Sequence, residues 1–183
     1  MASTYSNLKI ELIGTSEQTN NWGSTTNVNL GTAIEEAIAE SADVTFSSGD
    51  VTLTLTNSNS SQTARNVRLN LTGTSGGART LTVPDIEKPY IINNGLADTV
   101  TVQNSTGSTV DVPAGKTMWV YSTGTGVKDV TTHASSMTLG SALPVASGGT
   151  GLTSPGTSGY VLTSNGTAWT SAALPSYGTM ASQ

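Results

Sequence analysis

The chain has 183 residues, room for one ordinary domain and a tail. Only 10% of them are charged and 35% hydrophobic, with Thr, Ser, Gly and Asn dominating the remainder. A net charge of −5, a pI near 4.6 and seven scattered Lys and Arg exclude the clustered cationic face that nucleic-acid binding needs, so no nucleic-acid partner is expected. Without cysteine there are neither disulfides nor thiolate metal sites. No stretch approaches the ~20 apolar residues of a membrane span, and residues 1–14 lack the basic-then-apolar pattern of a secretory leader, so a soluble, non-exported protein is expected.

Leu8, Ile10 and Leu12 alternate with polar neighbours as on a half-buried strand. Residues 14–27 read as a polar loop carrying Trp22, whose simplest role is to cover a neighbouring surface. The spacing of Leu30, Ala33, Ile34, Ala37 and Ile38 predicts one helix over about 29–40, capped by Asn29 or by a Thr32/Glu35 capping box. Such a helix is marginal alone and has to dock its apolar stripe.

From Asp43 to Val130 the apolar period is two. Val44 and Phe46 start the series. Val51, Leu53 and Leu55 face Val67, Leu69 and Leu71 across a polar run, which predicts a hairpin with a long loop. Leu81 and Val83 precede the interruption at Pro84. Ile91 and Ile92 lead into Asn93-Asn94-Gly95, a turn of the type that adopts positive φ. Val100 and Val102, Val110 and Val112, and Met118 and Val120 complete the set. Strands every 8 to 12 residues or so predict an all-β fold, a mostly antiparallel sandwich or small barrel. Residues 131–183 change texture, with almost no charge and only isolated apolar residues. They suit either a flexible linker or an intertwined trimeric shaft, and the aromatics Tyr160, Trp169 and Tyr177 favour the shaft, because a free linker would expose them. The predicted organisation is therefore 1–42 (strand, loop and helix), 43–130 (β domain) and 131–183 (Gly/Ser/Thr-rich shaft or linker).

Candidate chemistry is sparse. His133 is the sole histidine and has no ligand-type companions, so a solvated or interface role is expected. Glu35, Glu36 and Glu40 read as solvated helix positions. Asp85, Glu87 and Asp98 lie among turn residues and read as turn stabilisers, not as a glycosidase pair. Gly148-Gly149-Thr150-Gly151 lacks the Lys-Ser/Thr ending and flanking elements of a phosphate loop. Asn70-Leu71-Thr72 and Asn104-Ser105-Thr106 match the glycosylation pattern only by chance. No catalytic residue, cofactor or metal site is expected, and the chain is read as a non-enzyme.

Four stretches carry a resemblance: Trp22-Gly23-Ser24-Thr25-Thr26-Asn27-Val28-Asn29-Leu30 with Ile34-Glu35-Glu36-Ala37-Ile38; Val112 to Tyr121; Leu143 to Gly151; and Tyr160 to Trp169. They resemble elements of tailed-bacteriophage tail fibre proteins, in particular the virion-attaching N-terminal part in phages of marine and freshwater bacteria. The resemblance implies a homotrimer located in the virion and assembled in the host cytoplasm. Its N-terminal end would meet tail, baseplate or adaptor proteins, and a distal end would meet the host. Because the chain stops soon after the shaft-like motifs, attachment is expected of it before host recognition. Trp22, Asn27 and Trp169 are the expected partner contacts. The alternative is a glycan- or receptor-binding module that stacks sugars of a host surface glycan on Trp119, Tyr90 or Tyr121.

Overall fold

A computed structural model describes residues 2–133, 135–136, 139 and 141–174. Tyr177 lies outside the described residues. The chain divides into two units, Met1–Thr132 and His133–Gln183.

The first unit opens with a short antiparallel pair, β1 (Thr4–Tyr5) and β2 (Glu11–Leu12). The helix begins earlier than its apolar spacing suggests: α1 (Trp22–Val28), a π-helical stretch (Asn29–Ile34) and α2 (Glu35–Ile38) follow one another without a break. Trp22 thus starts a helix and does not sit in a loop. Thr32 and Glu35 fall inside the helix, where backbone N–H groups already have partners, so no capping box forms there. The wider π turns also rotate the stripe. Ala33 and Glu36 are buried, whereas Leu30 and Ile38 are exposed.

The alternating residues do form strands, but their partners are not their sequence neighbours. β3 (Ser41–Ser47) is followed by β4 (Val51–Thr52), β5 (Arg68–Thr74) by β6 (Arg79–Thr82), and β7 (Glu87–Asn94) by β8 (Val100–Gln103). β3, β5 and β7 pair in parallel in one sheet, and β4, β6 and β8 pair in parallel in another. The chain therefore winds three times between two sheets. It then returns through β9 (Val110–Val112), β10 (Thr117–Thr123) and β11 (Val127–Asp129), which add antiparallel edges. The sheet orders are β11-β10-β7-β5-β3 and β4-β6-β8-β9, so no barrel closes.

This corrects the expectation of mostly antiparallel pairing: both sheets are mixed, and the predicted hairpin between residues 51–55 and 67–71 does not form. The polar turns carry the chain across to the facing sheet instead of back along the same one. Asn94-Gly95 is a case in point, since neither residue takes positive φ. Asn94 ends β7 with its side chain buried, donating to the carbonyls of Asp98 (3.0 Å) and Val112 (2.9 Å) and accepting the Leu96 N–H. Gly73, by contrast, does require glycine. Its φ is +94°, and a Cβ there would lie 2.3 Å from the Phe46 carbonyl oxygen on the neighbouring strand.

Inward residues of both sheets make one core, with Phe46, Leu69, Leu71, Tyr90, Ile92 and Val120 facing Leu81, Val83, Val100, Val102 and Val112. The second unit is built otherwise. It holds a 3-10 turn (Val145–Ser147) and a hairpin of β12 (Tyr160–Ser164) and β13 (Trp169–Ala173), closed by the four-residue loop Asn165-Gly166-Thr167-Ala168. None of its described residues is buried.

Candidate interaction surfaces

A buried ion pair fixes the helix that carries the first motif. Arg65 Nη1 lies 2.9 Å from Glu36 Oε2, with both side chains almost fully inaccessible. Arg65 also donates to the carbonyls of Leu8 (3.0 Å), Ser60 (3.1 Å) and Ser58 (2.8 Å), and Glu36 Oε1 accepts the Gln62 N–H. Glu36 is therefore no solvated helix residue. It joins the N-terminal segment, the helix and the long loop before β5, and the extra hydrogen bonds satisfy charges whose burial would otherwise be costly.

Glu11 is a second hub for the same helix. Its carboxylate accepts from Gln18 and Asn59, its carbonyl accepts from Asn29 Nδ2 at 2.9 Å, and Gln18 in turn accepts the Thr25 hydroxyl. These contacts hold one side of the helix and leave another bare. Trp22 is 64% exposed and Ile38 71%, with Leu30 also exposed. Trp22, Thr26, Leu30, Ile34 and Ile38 recur every fourth residue. Asn27 is exposed too, but five positions from Trp22 it lies about 140° round the helix, on a different face. Trp169 belongs to the second unit, where it shares one hairpin face with Leu162 and Tyr160 and is 38% exposed.

The five-stranded sheet also presents a regular outer face. Across four strands runs a register row of polar side chains. The Thr117 hydroxyl donates to Asn93 Oδ1 (2.8 Å), Asn93 Nδ2 to Asn70 Oδ1 (3.3 Å), and Asn70 Nδ2 to Asp43 Oδ1 (3.2 Å). The adjacent row is Ser41, Arg68, Ile91 and Trp119, with Trp119 55% exposed. Beyond it Tyr121 pairs with Pro89.

Of the three residues expected to stack sugars, Tyr90 is ruled out. It faces the core, and its hydroxyl donates to the Ala64 carbonyl at 2.9 Å. Burial holds that hydroxyl protonated far above the usual phenol range. Next to it the Lys88 ammonium sits 4.2 Å from the ring centroid and donates to the Asn66 carbonyl at 3.1 Å. Desolvation lowers its pKa to about 8.

Two of the acidic turn residues do clamp turns. Ser75 Oγ and Gly77 N–H both donate to Asp98, and Ser105 donates to Asp85 through its hydroxyl and N–H. These bonds hold both carboxyls below the usual range, with Arg79 adding to the effect at Asp98. Among the described residues no group of three or more His, Asp or Glu side chains gathers into a metal-type cluster. No helix among them is long and apolar enough to cross a membrane.

The Glu36–Arg65 pair and the polar row were not foreseen from the sequence. Comparison with protein-family models, curated proteins and solved structures finds no match.

Proposed function

We propose that this chain is a structural subunit that assembles with copies of itself, of the tail fibre or fibre-anchoring kind, linking a phage tail to host-recognition parts. One observation carries the reading: none of the described residues of the second unit is buried, while Leu162, Tyr160 and Trp169 share one exposed face of a two-stranded hairpin. Two strands alone are marginal in water. Covering each of these side chains with a neighbouring copy would contribute roughly 1.5–3 kcal/mol, a driving force the isolated hairpin lacks.

The four tail-fibre-like stretches supply the rest of the reading: a homotrimer, a place in the virion, and docking of the N-terminal end on tail, baseplate or adaptor proteins. Trp22 and its exposed helix face suit that docking, because a rigid helix presents them without an ordering cost. The role is mechanical and calls for no catalytic residue or cofactor.

Light scattering on the intact chain tests the reading. A mass three times the 18.6 kDa of one chain is expected, falling when Leu162→Asp and Trp169→Ser are introduced together. A wild-type monomer at every concentration would overturn it.

A further inference from the structure

We propose that Asn165, at the tip of the β12–β13 hairpin, is a self-modification site: the Gly166 backbone nitrogen attacks its side chain and converts it to aspartate and isoaspartate, while the first unit shields its own Asn-Gly pair from the same reaction.

The sequence holds two Asn-Gly pairs, Asn94-Gly95 and Asn165-Gly166. In such a pair nucleophile and electrophile are covalently joined, so ring closure needs no encounter, and glycine has no Cβ to block the approach. The fold treats the two pairs differently. Asn94 is buried, its Nδ2 donating to the carbonyls of Asp98 and Val112 and its Oδ1 accepting the Leu96 N–H. The Gly95 N–H is held by the Leu71 carbonyl at 3.0 Å, and a Cβ on Gly95 would lie 2.9 Å from that oxygen. Neither leaving group nor nucleophile can move there without leaving buried polar groups unpaired. Asn165 and Gly166 are both exposed. Asn165 Oδ1 accepts the N–H groups of Thr167 (2.9 Å) and Ala168 (2.7 Å), two donors that polarise the side-chain carbonyl and stabilise the oxyanion formed on addition. Its Nδ2, the leaving group, makes no hydrogen bond among the described residues. The Gly166 N–H donates to the Ser164 hydroxyl at 3.2 Å, and no atom lies within 4 Å of where a Gly166 Cβ would sit, which leaves room for the ring.

Water and hydroxide are the only co-reactants. Hydroxide removes the Gly166 amide proton, the nitrogen forms a bond to Asn165 Cγ, and the Cγ–Nδ2 bond breaks, ammonia leaving once Nδ2 has taken a proton from water. Water then opens the cyclic imide. Rupture of the new N–Cγ bond gives aspartate, and rupture of the original peptide bond gives isoaspartate, with the chain rerouted through Cγ. Nothing is oxidised or reduced. Residues 131–183 contain no Asp, Glu, Lys or Arg, so the product carboxylate is their first fixed side-chain charge. The isoaspartyl form also lengthens the backbone of a loop closed by the bond from the Asn165 N–H to the Ala168 carbonyl (3.1 Å). The reaction depends on this loop alone and not on how copies of the chain assemble.

Ageing the intact chain in heavy-oxygen water at neutral and at mildly alkaline pH, followed by peptide mapping with mass spectrometry, tests the proposal. Trypsin releases residues 129–183 as one peptide in which Asn165 is the sole asparagine. That peptide should exchange its amide for a carboxyl group carrying solvent oxygen, faster at the higher pH and at least tenfold faster than Asn94 reacts in the same sample. In denaturant the two sites should react at similar rates, and Gly166→Ala should slow position 165 at least tenfold in either state. An Asn165 that stays intact in the folded chain while Asn94 reacts in the denatured one would overturn the proposal. So would equal rates at the two sites in the folded chain, or a Gly166→Ala chain that reacts as wild type.

Discussion

The two units of this chain use similar residues to opposite ends. In the first, Thr, Asn and Ser alternate with Val, Leu and Ile, and three windings of chain close the apolar side chains into one core between two sheets. In the second, Tyr160–Ser164 and Trp169–Ala173 mix Thr and Ser with apolar residues without strict alternation and form a hairpin with nothing buried. What separates them is the number of layers. A strand's apolar face is a stabilising feature only when another layer covers it, and the described residues of the second unit form a single sheet of two strands.

The contrast is sharpest in paired truncations. Phe46→Ala should cost the first unit about 3–5 kcal/mol by leaving a cavity between the sheets, read from denaturant unfolding. Leu162→Ala should change the unfolding free energy of a dissociated chain by less than about 0.5 kcal/mol while lowering the mass of the assembly. Equal costs at the two sites would erase the distinction between the units.

Glu36→Leu probes how the first unit holds its helix, and an effect of about 3–5 kcal/mol is expected because Arg65 is left charged and buried. Adding Arg65→Met should recover much of the loss. A double variant as unstable as the sum of the two single ones would show that the two side chains act separately.

A smaller effect follows from Lys88, whose pKa is about 8 in the fold against 10.5 in the unfolded chain. Below pH 8 both states are charged and the full cost of burying the ammonium is present. Between 8 and 10.5 the unfolded chain binds more protons, so stability rises with pH. Tyr90 acts in the other direction. Its pKa is raised above the ordinary 10.0, so above pH 10 the unfolded chain releases a proton that the fold retains, and stability falls. Stability of the first unit should therefore peak near pH 10, on the order of 2 kcal/mol above its value at pH 8, and Lys88→Met should flatten the rise. The second unit, which has no buried ionisable group among its described residues, should show no such peak.

The strands of the first unit were legible because burial follows parity. Leu69 and Leu71, Val100 and Val102, and Val110 and Val112 all read as alternating and all face the core. Their pairing was not legible. Ser41 meets Arg68 and Arg68 meets Ile91, separations that no local turn announces, and a turn that crosses to the facing sheet has the same Ser, Gly and Asn composition as one that doubles back.

The same limit hid the polar row, since Asp43, Asn70, Asn93 and Thr117 become neighbours only through that register. Glu36 misled for a related reason. A charged residue on an amphipathic helix normally faces water, and its partner Arg65 sits in a polar run with no signal of burial. Trp22 and Trp169 were visible as aromatics in polar surroundings, and both are exposed. Tyr90 faces the core from β7 whereas Trp119 faces outward from β10.

Hydrogen exchange tests most directly whether the second unit depends on neighbouring copies. The amides of Tyr160–Ser164 and Trp169–Ala173 should be protected at concentrations where the chain is associated and should exchange freely once it is diluted to monomers, while those of Arg68–Thr74 and Glu87–Asn94 stay protected throughout. Hairpin amides that remain as slow as the core strands in a monomeric sample would contradict the account.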